Sequence, residues 1–330
     1  MFLGYIHYFR AIAILFIVAG HSIDVLAWSE DRQLERIFRI LMSNGSVLFI
    51  FIAGYLFQYL SNKYEIKKYY TSKAKNVITP YFLISIPSIF IFVAFIERDV
   101  MWTGFYDNPV WAQISLFYLT GKHLGPFWFI PMITIFYIIA PILIRADKNK
   151  LIYYMLPVFI ILSCFIDRGL PHQSFVHFFS AYLLGMYCSK FRDSINPLIS
   201  NNIFILLSLS LLLFLATTEF LYMEETMTYL NYLQKITMSM FFLGLLIKLN
   251  KHLNSKLVST IADTSFGIFF IHPYLLFSVG LLQTKTQGHL LNGTIPSYIL
   301  VTISVLLICS FLIVQAKKLL GDKSKYFVGS

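Results

Sequence analysis

The chain has 330 residues, of which 58% are hydrophobic and only 13% charged; a soluble domain carries roughly a quarter charged residues, so a soluble globular fold of this length is excluded. The net charge of +10 is scattered over short segments between apolar runs. No basic domain of the kind that binds nucleic acid is present, and the excess reads as topology information plus contact with anionic headgroups or phosphates.

A bilayer-spanning helix needs roughly 20 mostly apolar residues. Ten such runs are predicted, at about 8–27, 45–60, 78–96, 127–144, 152–166, 174–190, 203–218, 231–248, 261–282 and 298–316. The expected fold is therefore all-α integral membrane: a single transmembrane domain over 1–330, with 317–330 as a short cytoplasmic tail and no soluble domain. No small-residue cleavage site follows the first run, so it is kept as a span rather than read as a signal peptide. Between the first two runs, Leu34, Ile37, Phe38 and Leu41 fall at helical spacing among Arg32, Arg36 and Arg39. That pattern predicts an amphipathic helix lying in the outer interface. Pro131, Pro141 and Pro273 predict kinked spans, tolerable where neighbouring helices satisfy the freed carbonyls. Cys164, Cys188 and Cys309 sit inside apolar runs as small packing residues, without metal-ligand spacing. With the N-terminus inside, 18 of the 26 Lys and Arg residues fall on the inner side, which favours N-in/C-in.

Ionisable residues inside spans are costly and mark function by default. The first span holds three: Arg10, His21 and Asp24. Eleven residues at 100° each turn about 1100°, so Arg10 and His21 point the same way within about 20°, roughly 16 Å apart along the axis. Asp24 lies three residues past His21 and shares that face. A snorkelling arginine, a histidine satisfied by a neighbouring helix and an aspartate capping the span are the plainer alternatives. Three polar groups on one stripe favour a site.

The spacing Arg10-x10-His21 resembles the hallmark of the membrane-bound acyltransferase-3 family, whose members O-acylate bacterial surface glycans. The resemblance continues along the chain. VLFIFIAGYLF (Val47 to Phe57) is similar to the family's second span, with Ala53 where serine is usual. Lys73-Ala-Lys75 followed by Pro80-Tyr81 looks like its basic pair, with lysines where arginines are usual. FWFIP (Phe127 to Pro131) resembles its tryptophan segment, and SFGIFFIHP (Ser265 to Pro273) its late serine–histidine motif.

The resemblance implies acyl transfer, acetyl being commonest, from acyl-CoA to a hydroxyl of a cell-surface polysaccharide or its lipid-linked precursor. The setting would be the bacterial cytoplasmic membrane, with the acyl-CoA donor, the glycan and the bilayer as partners and no permanently bound cofactor or metal. A hydroxyl is a poor nucleophile near neutral pH and needs a positioned base; His21 suits that role, with Asp24 to orient its imidazole. Arg10, Lys73 and Lys75 are assigned to the donor phosphates, although Lys73 and Lys75 read equally well as ordinary positive-inside residues. Trp128 is assigned to the acceptor path, against a plain interfacial tryptophan, and His272 to a site-lining role, against a simple inter-helix hydrogen bond. His123, His172, His177 and His289 are left unassigned. The competing class is a transporter or flippase of a glycan intermediate, which would also carry broken helices and intramembrane charges. No inverted repeat and no dense set of intramembrane carboxylates supports it.

Overall fold

The computed structural model describes residues 3–226 and 228–329, with every side chain among them except that of Asp322. It is all-helical, 82% helix without a strand among the described residues. The α-helices in chain order are α1 (Gly4–Ser22), α2 (Arg32–Met42), α3 (Ser46–Tyr59), α4 (Ile66–Lys73), α5 (Thr79–Ala94), α6 (Val110–Thr120), α7 (Phe129–Ile138) and α8 (Ala140–Asn149). They continue with α9 (Leu156–Phe165), α10 (Pro171–Lys190), α11 (Arg192–Ile199), α12 (Asn202–Tyr222), α13 (Tyr229–Lys248), α14 (Lys256–Gln287), α15 (Ile295–Leu320) and α16 (Ser324–Val328).

Among the described residues, seven helical segments are long and apolar enough to cross a membrane, or eight if the bent pair Gly125–Ile138 and Ala140–Asn149 counts as one span. These eight fall on eight of the ten predicted runs. The other two runs fall on α9, whose apolar segment is short, and on α10, which is long enough but carries Gln173, Ser174, His177 and Ser180 along its length. The bend of 56° between α7 and α8 comes at Ile139, just before Pro141, whose ring cannot continue the helical hydrogen bonding.

α1 is the axis of the bundle. It packs against α3, α13, α14 and α15, and 61% of its apolar window is buried, against 28% for α12 at the periphery. Lipid is as apolar as leucine, so such helices are held by close packing and by polar contacts rather than by the hydrophobic effect alone. The α3–α10 contact illustrates this. A Cβ on Gly54 would stand 2.0 Å from the Tyr182 carbonyl oxygen, and one on Gly185 equally 2.0 Å from that of Phe51. Both glycines are needed for the two backbones to touch.

The amphipathic helix predicted after the first span is α2. The Asp31 carboxylate caps it by accepting from the Leu34 amide at 2.8 Å. Phe38 stacks on Tyr298 of α15 with ring centroids 4.2 Å apart. Its C-terminal carbonyls are held by a residue inside α13: Lys235, wholly buried, donates to the oxygens of Ile40 and Leu41 at 2.9 and 2.8 Å and to Gln234 Oε1. Asn231 Nδ2 also donates to Ile40 O and, at 3.2 Å, to the buried Glu219 carboxylate of α12. A helix end has unpaired carbonyls that must find partners; here a lysine and an asparagine inside a span supply them.

Candidate active site

Two helices that are far apart in sequence build the centre. α1 and α14 lie side by side, and the Arg-x10-His spacing of one meets the Ser…His segment of the other. Arg10 Nη2 donates to Ser265 Oγ at 3.0 Å. One level up, the rings of His21 and His272 approach to 5.5 Å between centroids, inclined by 39°. His272 is fully buried. Its Nδ1 donates to the Ile268 carbonyl at 2.9 Å, so in the neutral ring Nε2 is the unprotonated nitrogen. That nitrogen is buried and has no hydrogen-bond partner among the described residues.

His21 opens into a cavity of about 240 Å³, named outer after the expected N-in orientation and shared with Asp24, Arg39, Asn44, Trp128 and Arg168. Asp24 accepts from Arg39 Nη2 at 2.9 Å, and Arg39 also bridges to Glu35 at 2.8 Å; the aspartate is thus ion-paired to α2 while it shares the cavity with His21. Arg168, in the loop before α10, lies over the Trp128 ring at 5.4 Å, and its Nη1 reaches Asn44 Oδ1 at 3.5 Å. Phe178 stacks on the same indole at 5.5 Å, so Trp128 serves as the seat of a cation. Burial pushes the Arg168 guanidinium down to about 10, still cationic at neutral pH.

Arg10 opens instead into a second cavity of about 590 Å³, named inner on the same expectation. Lys73 projects into it, with Nζ 4.7 Å from the Tyr137 ring centroid and 5.3 Å from that of Tyr69. This cavity shares Glu65, Lys68, Ser72 and Asn76 with a basic mouth of about 500 Å³ that also contains Lys67, Lys75 and Lys325. Lys73 and Lys75 therefore serve different spaces. The inner and outer cavities meet at phenylalanines. Phe129 lines both, Phe266 the inner and Phe269 the outer; Phe266 and Phe269 stack at 6.1 Å, and Phe129 lies 5.4 Å from Phe269.

A family model described as an acyltransferase domain matches residues 3–314. The chain belongs to the acyltransferase-3 family. The match spans the two motif-bearing helices and the lining of both cavities apart from Gly329, and membrane acyltransferase activity is the function that this membership supports. No curated protein and no solved structure matches the chain.

Within this acyltransferase-3 fold, the residues singled out from sequence divide into His21, Asp24 and Trp128 in the outer cavity, His272 behind His21, Arg10 and Lys73 in the inner cavity, and Lys75 at the mouth. Sequence reasoning does not reach Arg39 and Arg168 as site residues. The signal for Arg39 is its place on the polar face of α2; Arg168 sits in a short loop with no pattern around it. Among the unassigned histidines, His123 is structural: its two nitrogens reach Phe117 O at 3.1 Å and Ser85 Oγ at 2.8 Å.

Proposed function

We propose that this membrane acyltransferase moves an acyl group, acetyl in the simplest case, from acyl-CoA to a sugar hydroxyl of a surface polysaccharide or its lipid-linked precursor. The observation that carries the reading is the pair of cavities meeting at Phe129, with a histidine in one and a basic mouth leading into the other. Acyl-CoA is long and thin, with phosphates at one end and a thioester at the other. Its nucleotide enters at the basic mouth, its pantetheine fills the inner cavity, and the thioester meets the acceptor at the phenylalanine partition.

His21 takes the proton of the acceptor hydroxyl as its oxygen attacks the thioester carbonyl. The tetrahedral intermediate then collapses: the C–S bond breaks, the ester forms, and the departing sulfur receives the proton from the imidazolium. Closer approach of the two rings in the reacting complex lets His272 accept the N–H of His21 on its Nε2, fixing which His21 nitrogen acts as base. Asp24 offsets the imidazolium charge, and Arg168 stabilises the oxyanion from its place over Trp128. In this reading the chain crosses the bacterial cytoplasmic membrane ten times, α9 and α10 included, with the basic mouth on the cytoplasmic side where acyl-CoA is made.

The test is transfer of labelled acyl groups from acyl-CoA to surface glycan by protein purified into nanodiscs. His21→Gln keeps hydrogen bonding without a titratable ring and loses transfer by a factor of roughly 10²–10⁴, the usual cost of a missing general base, while CoA binding persists. Near-normal transfer by His21→Gln refutes the base assignment. Glycan movement across vesicles without any acylation by the unmutated protein refutes the enzyme.

A further inference from the structure

The last residues lie outside the family match, which ends at residue 314, yet they form part of the cavity wall. α16 packs against α5, α14 and α15 and against the π-turn over Ala74–Ile78 that joins α4 to α5. Ser324 is buried. The Tyr326 ring lies 4.6 Å from Lys75 Nζ, Lys325 lines the basic mouth and Gly329 lines the inner cavity. Gly329 has φ +68, and a Cβ there would stand 2.8 Å from the Phe266 ring. The segment therefore runs from the mouth to the wall beneath the phenylalanine partition.

Four lysines line that mouth, Lys67, Lys68, Lys75 and Lys325, against the single carboxylate of Glu65. They are ordered in depth. Lys68 also lines the inner cavity, whereas Lys67, Lys75 and Lys325 line the mouth alone. A CoA ester has a matching order from the thioester outward: pantetheine, then the pyrophosphate, then the ribose with its 3′-phosphate. A phosphomonoester carries about −1.5 to −2 charge near neutral pH, and lysines grip phosphates as point charges.

We propose that the C-terminal segment completes the donor site, with Lys325 joining Lys67 and Lys75 to hold the 3′-phosphate of the acyl donor while Lys68 meets its pyrophosphate. This rests on the acyl-CoA reading above. The same lysines would also attract the phosphates of anionic lipid headgroups, so the experiment separates the two sources.

Protein in nanodiscs of neutral lipid is titrated calorimetrically with CoA and with 3′-dephospho-CoA. The unmutated protein should prefer CoA by on the order of tenfold, the scale of one or two charge-assisted contacts. Lys325→Ala should weaken CoA roughly three- to tenfold, leave 3′-dephospho-CoA within about twofold, and so collapse the preference; Lys325→Arg, which keeps the charge, should retain most of it. Lys325 is exposed, and melting temperatures of both variants check that the fold is intact. An unchanged CoA preference in a folded Lys325→Ala protein overturns the inference while leaving the donor reading in place. Altered binding of phosphatidylglycerol vesicles with CoA affinity unchanged overturns it in favour of a lipid contact. If the unmutated protein binds no CoA, the donor reading itself falls, and this subsite with it.

Discussion

Replacing Lys235 by methionine keeps the length of the side chain and removes its charge and its donors. In the native protein Lys235 Nζ holds the Ile40 and Leu41 carbonyls at 2.9 and 2.8 Å. Asn231 continues to bond the Ile40 oxygen at 2.9 Å, so the variant takes the Lys235 donor from the Leu41 carbonyl and Gln234 Oε1 and leaves the Ile40 carbonyl half-satisfied. A buried unsatisfied group costs about 1–3 kcal/mol, although hydrogen bonds between membrane helices average only about 0.6 kcal/mol each by double-mutant cycle. Together the lost bonds give about 2–4 kcal/mol, concentrated on the attachment of α2. At about 1.4 kcal/mol per tenfold, that is a factor of roughly 30 to 1,000 in the opening of this helix. Hydrogen exchange read by mass spectrometry on peptides covering residues 32–45 should show that loss of protection, with α4 and α5 unaffected. α2 carries Arg39 and leads into Asn44, and both line the outer cavity, so the KM for the glycan should rise while CoA affinity stays as it was. A Lys235→Met protein with native exchange in α2 would show that the lysine does not hold the helix down. A parallel loss of CoA affinity would show that the effect is global.

Three further outcomes follow from the packing. Gly54→Ala puts a methyl 2.0 Å from the Tyr182 carbonyl, and forced separation of α3 from α10 should destabilise the protein by about 1–3 kcal/mol, seen as a lower melting temperature in detergent. Phe269→Ala opens the partition between the cavities, and release of free CoA from acyl-CoA without any glycan should rise because water then reaches the thioester. Burial holds the His123 imidazole down at about 4, below its unfolded value near 6.5. The unfolded chain therefore takes up the proton first, so stability should fall as pH drops from about 6.5 to 4; in thermal melts across that range, His123→Gln should flatten the slope.

Hydropathy alone marks the ten runs, because a helix in lipid must present apolar side chains all round its outer surface. The runs that fall on α9 and α10 show where this signal thins. α10 lies in the interior, where Ser180 bonds Tyr232 at 2.7 Å and Ser163 at 2.9 Å, so polar residues replace apolar ones without cost. The clamp on α2 is half visible in the sequence, since Lys235 interrupts the predicted run 231–248 and Glu219 ends the one before it. Which backbone groups they meet depends on a helix some 190 residues earlier in the chain, and no local pattern encodes that.

For the site, the 3.6-residue period carries half of the answer. It places Arg10 and His21 on one side of α1, and that side is where Ser265 and His272 of α14 meet them. The same period separates Lys73 from Lys75, although their motif groups them. Two residues apart at 100° each, they point about 200° apart on a helix. The π-turn that begins at Ala74 adds a residue to the local turn without bringing them back together. One lysine accordingly lies among tyrosines in the inner cavity and the other against Tyr326 at the mouth. In the acyl-CoA reading proposed above, the basic pair makes two contacts on one extended ligand, Lys73 beside the pantetheine and Lys75 at the nucleotide. Only a ligand long enough to pass both lysines and still deliver its reactive end to Phe129 uses that geometry, and this favours a CoA thioester over a compact anion.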